Sequence, residues 1–193
     1  LSGSNGSDSL VDVDGELVPA FQFGQNNASL TGFEFMIDLH PHPFDWLHWQ
    51  NMLSFVKGQF HNSIEGTRNI PLMPATRWNS ELRADLLRKG KTVRNMAIHF
   101  GVDHTFDQKH PFTPFGTETA SSGYTLLNAG FNTSYFQGNK ERFSIYLSVT
   151  NLGNVAYQSH LSRLKYAAIN PLSGRQGVFN MGRNVSIRLN VVL

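Results

Sequence analysis

Between Gly123 and Leu193 three segments alternate apolar and polar side chains almost without a break. In Tyr124–Tyr135, Leu127, Ala129, Phe131 and Tyr135 fall at one parity and Asn128, Asn132 and Ser134 at the other. Arg142–Thr150 sets Phe143, Ile145, Leu147 and Val149 against Ser144, Tyr146, Ser148 and Thr150. Asn184–Leu193 sets Val185, Ile187, Leu189, Val191 and Leu193 against Ser186, Arg188 and Asn190. Side chains on a strand point to opposite faces in turn, so this pattern predicts a sheet with one apolar and one polar surface. A soluble sandwich or barrel turns the apolar surface inward; a membrane barrel turns it to lipid and keeps the polar surface on a wet lumen. Periodicity alone is shared by both.

The rest of the chain repeats the pattern. Ala28–Leu39 places Phe33, Phe35, Ile37 and Leu39 opposite Gly32, Glu34, Met36 and Asp38. Two carboxylates on the inner face of a dry sandwich would each need a partner, whereas a wet wall leaves them solvated. Further strands are predicted at Leu17–Gln25, Leu47–Lys57, Trp78–Leu87 and Thr92–His104, giving about eight in all. Their connections are short near 40–46, 88–91 and 136–141, and long near 58–75, 105–122 and 151–183. Short turns at one end and long loops at the other are the habit of outer-membrane barrels. The expected fold is therefore all-β: an antiparallel up-and-down transmembrane β-barrel segment over residues 17–193, preceded by an exposed Ser/Gly/Asn/Asp-rich loop at 1–16. The alternative is a self-contained, eight-stranded soluble barrel enclosing a small ligand, with the same phenylalanines as its core.

Composition removes several classes. No run of eighteen apolar residues forms a membrane helix, which leaves strands of about ten residues unaffected. The 193 residues contain no cysteine, so disulfides and thiolate zinc sites are absent, and a net charge of +2 is too small to point to nucleic acid.

The order of several short motifs resembles the C-terminal barrel part of a TonB-dependent outer-membrane receptor of the kind common in Bacteroidetes-type bacteria. The motifs are the stretch Asn27 to Glu34, the approach Ile70 to Arg77, Gly123 to Gly130, Val149 to Tyr157, His160 to Tyr166, and Gly182-Arg183-Asn184. One departure is Leu193, aliphatic where such barrels often end in an aromatic. The resemblance implies a barrel of roughly 22 strands, of which this chain would supply the last third. It implies residence in the outer membrane of a Gram-negative bacterium, in contact with its lipid and lipopolysaccharide. It also implies active uptake of a scarce ligand, most often a ferric siderophore or similar iron chelate. Energy would come from the TonB complex through an N-terminal plug that lies outside these residues, and no cofactor is implied.

From Arg142 onward there is no Asp or Glu, while six Lys or Arg are present. A one-sign surface steers anions. His160, Arg163, Lys165 and Arg175, on the longest loop, are thus the candidate ligand-binding residues, against the plainer reading of a solvated basic loop. Placed by the resemblance, that loop is extracellular. His40, His42, and His99 with Asp103 do not form a set of three or more coherent metal ligands. Asp12 and Asp14 before Gly15 lack the further oxygen donors of a calcium loop. Trp46, Trp49 and Tyr135, near strand ends, suit an interfacial girdle and, nearly as well, the edge of a soluble core. No nucleophile elbow or phosphate-cradling glycine loop is present, so the reading is a receptor and not an enzyme.

Overall fold

Strand-forming alternation, interrupted by turn residues, becomes a single antiparallel meander in the computed structural model, which describes residues 10–19 and 25–192. A small ribbon comes first: β1 (Leu10–Val13) pairs with β2 (Glu16–Pro19). The main sheet follows with β3 (Ala28–Leu39), β4 (Leu47–Ile64), β5 (Thr67–Asn69), β6 (Arg77–Leu87), β7 (Val93–Thr105), β8 (Tyr124–Gln137), β9 (Lys140–Thr150) and β10 (Asn184–Val191). Its order is β10-β9-β8-β7-β6-β4-β3, with β5 pairing the far end of β4. Apart from β5, each strand of the main sheet lies beside its neighbour in the chain, so the all-β up-and-down expectation holds.

Two stretches differ from the sequence reading. Part of the region read as an exposed loop, 1–16, is ribbon: Asp14 and Gly15 take positive φ at its turn. The Asp12 carboxylate accepts the Gly15 N–H at 2.8 Å, which spends it on the turn. Of the strand predicted at Leu17–Gln25, residues 20–24 lie outside the described residues. The other difference is β4, which continues seven residues beyond Lys57 to Ile64 and turns back at Glu65–Gly66 into β5. What reads as a loop is thus partly a projecting hairpin.

Register carries the face assignment across the sheet. Leu39, Trp49, Leu82, Phe100, Ala129, Val149 and Val185 are successive cross-strand partners and form one apolar row over seven strands. One residue along, His48, Arg83, His99, Gly130, Ser148 and Ser186 form a polar row on the opposite face. Cross-strand pairs such as Phe33–Phe55, with ring centroids 5.6 Å apart, give the apolar face its lateral cohesion. The polar face is tied by its own network. Asp103 accepts bonds from Arg77 (2.6 Å), Asn79 (3.0 Å) and Asn128 (3.2 Å), spanning three strands.

No second layer among the described residues covers the apolar face. Among the described residues only Ala97 and Phe112 are buried hydrophobics, while Phe33, Phe100 and Ile187 stand 54%, 45% and 73% exposed. β3 and β10 are the two sheet edges and do not pair with each other. The small closed soluble barrel is therefore not what this chain forms: its sheet is open and its phenylalanines are not a core.

Candidate functional site

The long connections 65–76, 106–123 and 151–183 meet at one end of the sheet, and their construction is local and polar. Gln108 and Ser121 exchange backbone hydrogen bonds (2.9 and 3.0 Å) and close the neck of the second loop. At the root of the third, Asn151 adopts φ +53° and its amide bonds both the N–H (2.8 Å) and the carbonyl (2.9 Å) of Val155. Asparagine tolerates this left-handed conformation and supplies both donor and acceptor, which gives Asn151-Leu152-Gly153-Asn154 its physical meaning. Asn154 closes the same root by accepting the Arg183 N–H at 3.0 Å.

A buried polar cluster joins the three loops. Glu118, 5% exposed, accepts the Leu72 N–H through Oε1 (2.5 Å) and the Phe112 N–H through Oε2 (3.0 Å). His160 Nε2 lies 3.7 Å from Glu118 Oε2, while its Nδ1 is 2.9 Å from the Ser121 hydroxyl. Lys165 Nζ donates to the same hydroxyl at 2.7 Å. A lysine ammonium can only donate, and Lys165 Nζ also lies 3.3 Å from His160 Nδ1, so Nδ1 is an acceptor and takes the Ser121 hydroxyl proton while the Ser121 oxygen accepts from Lys165. This leaves the imidazole proton on Nε2, facing Glu118. Burial, reinforced by the Lys165 charge and opposed by Glu118, pushes the His160 pKa below its ordinary value. Burial would raise the Tyr166 phenol, but the Thr119 N–H bonded to its oxygen at 2.9 Å and the nearby Lys165 outweigh it, and its pKa is lowered.

The four candidates thus divide. His160 and Lys165 come together and are buried; Arg163 and Arg175 stay exposed. Arg163 stands over a cleft of about 380 Å³ with Pro71, Leu72, Phe112 and Tyr166. Arg175 does not line that cleft; its guanidinium sits 5.4 Å from the Phe179 ring. Sequence reasoning missed Glu118, which no spacing marks, and a second cleft of about 400 Å³ with Arg77, Asp103, Tyr124, Tyr157 and Asn180 in its wall. There the rings of Tyr124 and Tyr157 lie 4.3 Å apart, and burial followed by the neighbouring Tyr124 and Asp103 raises the Tyr157 pKa. Among the described residues no group of three or more His, Cys, Asp or Glu could hold a metal ion. His40 instead packs edge-on against His48 at 4.4 Å and lies 3.4 Å from Asp38.

No protein-family model and no curated protein matches the sequence. Solved structures do: the chain superposes on the copper transporter OprC, a TonB-dependent receptor, with a TM-score of 0.65 at 15% identity. The match covers 86% of this chain and 24% of that one. The fold is that of part of a TonB-dependent receptor barrel. At this identity the likeness establishes architecture, and the chain spans about a quarter of the matched chain's length.

Proposed function

We propose that this chain is the C-terminal barrel part of a TonB-dependent receptor in the outer membrane of a Gram-negative bacterium, which takes up a scarce ligand. The observation that carries the reading is the single-layer sheet with a continuous apolar face and, among the described residues, nothing packed on it. Lipid is the medium that stabilises such a face, and only a closed barrel satisfies its edge strands there. The projecting β4–β5 hairpin and the long loops then belong on the extracellular side, and the short turns on the periplasmic side. The TonB complex would act through an N-terminal plug beyond these residues.

For the ligand, an iron chelate such as a ferric siderophore fits better than a bare metal ion. The similar solved protein is a copper transporter, but this chain has no cysteine and, among its described residues, no ligand set for a metal. Its long-loop end offers cations instead. Arg163 and Arg175 would meet an anionic chelate, while His160 and Lys165 hold the loops that present them.

Fractionation of cells making the intact protein, with proteolysis of whole cells, tests the assignment. Recovery in the outer membrane with external clipping inside 151–183 supports both the receptor and its orientation. A detergent-free, monomeric periplasmic protein would instead require the apolar face to be a core. Replacing Arg163 and Arg175 by Gln is expected to weaken uptake of an anionic iron chelate about tenfold or more, the loss of two charge-assisted bonds. Unchanged uptake would remove them from the site.

A further inference from the structure

The turn end of the sheet is built as a continuous rim. Arg88 donates to the Asp45 carbonyl, tying the 40–46 turn to the 88–92 turn. Arg94 donates to Gly90 O (2.8 Å) and to Gly138 O (3.0 Å), tying the 88–92 turn to the β8–β9 turn at 138–139. Both arginines are thus used within the fold, Arg88 also pairing with Asp85 at 3.0 Å and Arg94 lying 4.3 Å from the Phe136 ring. Residues 88–92 and 137–142 carry five Lys or Arg and a single Glu, Glu141. Lys89, Lys91, Lys140 and Arg142 are exposed, and none of them enters an ion pair among the described residues. Arg142 bonds the neutral Gln137 at 3.0 Å.

Beside these cations the apolar face ends in aromatic rings. Tyr135 stacks on Phe143 at 4.9 Å and 11°, and Phe44 meets Trp46 edge-on at 6.1 Å. Rings at the edge of an apolar band and lysines just beyond it match the layering of glycerol and headgroup phosphate. A protein partner would favour aromatic residues at the centre of its patch and few lysines. Here the rings lie on the apolar side and the charged fringe is mostly lysine.

We propose that this rim binds anionic phospholipid headgroups in the leaflet on the short-turn side, through Lys89, Lys91 and Lys140. The inference rests on the membrane reading above. The test uses the intact protein and its triple variant Lys89→Gln/Lys91→Gln/Lys140→Gln. Each is reconstituted in nanodiscs of phosphatidylcholine with an equal share of phosphatidylglycerol, and retained lipids are counted by native mass spectrometry. A lysine near an anionic surface is worth about fivefold in affinity. The wild type should retain phosphatidylglycerol selectively, and the triple variant should lose that selectivity at least tenfold. The triple Lys→Arg variant should keep it, which separates charge from damage to the turns. Outer-membrane fractionation of each protein runs in parallel. Insertion of both with equal lipid selectivity overturns this proposal and leaves the membrane reading standing; failure of the wild type to reach the membrane overturns the reading itself. Loss of a copurifying protein in place of lipid overturns it in favour of a protein partner.

Discussion

An arginine scan along one strand distinguishes lipid from core by the shape of its energy profile. On β9 the apolar face runs Phe143, Ile145, Leu147, Val149 from the turn end inward. Leu147 lies four residues from Phe143, about 13 Å along the strand and, at a tilt near 45°, about 9 Å deeper. An outer apolar band is about 25 Å tall, so Leu147 sits near its middle and Phe143 near its edge. Leu147→Arg puts a charge between Phe131 and Ile187, its cross-strand partners, at a cost of about 2–4 kcal/mol. That is a shift of roughly 30- to 700-fold in the folding equilibrium. Phe143→Arg should cost only about 0–1 kcal/mol for the charge, plus about 0.5–1.5 kcal/mol for its stack on Tyr135. Ser148→Arg, next in sequence but on the polar face, should cost little. Urea titration of the intact protein folded into phospholipid vesicles gives all three values. A flat profile, or a Ser148→Arg penalty equal to that of Leu147→Arg, refutes the assignment of faces.

The loop junction should respond to acid. The folded pKa of His160 lies below that of a free histidine, about 6.5, so the stability it contributes is present above that value and is lost as pH falls toward the folded pKa. Proteolysis within 151–183 should therefore quicken between pH 7.5 and 5, and His160→Gln should flatten that dependence. Gly177→Ala should disturb the same junction by about 1–3 kcal/mol, because Gly177 has φ +75° and an added Cβ would fall 2.3 Å from the Lys165 carbonyl oxygen; hydrogen exchange of that loop at neutral pH reads it. On the sheet, Gly130→Ala would bring its Cβ within 2.0 Å of His99 Nε2. A cost of about 1 kcal/mol is expected, relieved when His99→Ser is combined with it; no relief would mean that the backbone, not the ring, is crowded.

The sheet was legible where a strand separates an apolar face from a polar one. Ala28–Leu39 has the same bounds in sequence and structure, and β6 to β9 differ by one or two residues at their ends. Legibility fades where that separation ends. Beyond Lys57, Gly58-Gln59-Phe60-His61 no longer alternates cleanly: 58–60 still pair with β3, but β6 has ended opposite Ser54, and the register shift between Gln59 and Ile64 breaks the parity on the β5 side. Bulges at Asp85/Leu87 and Arg94/Ala97 break the parity in the same way near the turns. In the loops, charge pattern pointed to the region but not to roles. Lys165 reads as a surface cation, yet Ser121 from a distant loop draws it inside, and Glu118 has no neighbour in sequence to announce it.

The agreement between chain order and sheet order bears on how this segment assembles. Every long strand from β3 to β10 docks onto the one made before it, apart from the small β5 excursion, so each step closes only one hairpin and little loop entropy accumulates. Assembly can advance one strand at a time, with low contact order and no demand for distant parts of the chain to meet. The exception is the pair of outer edges, each able to recruit a strand from any chain nearby. Until both edges are paired the intermediate is sticky, and the last seam, rather than any hairpin, sets its vulnerability to misassembly.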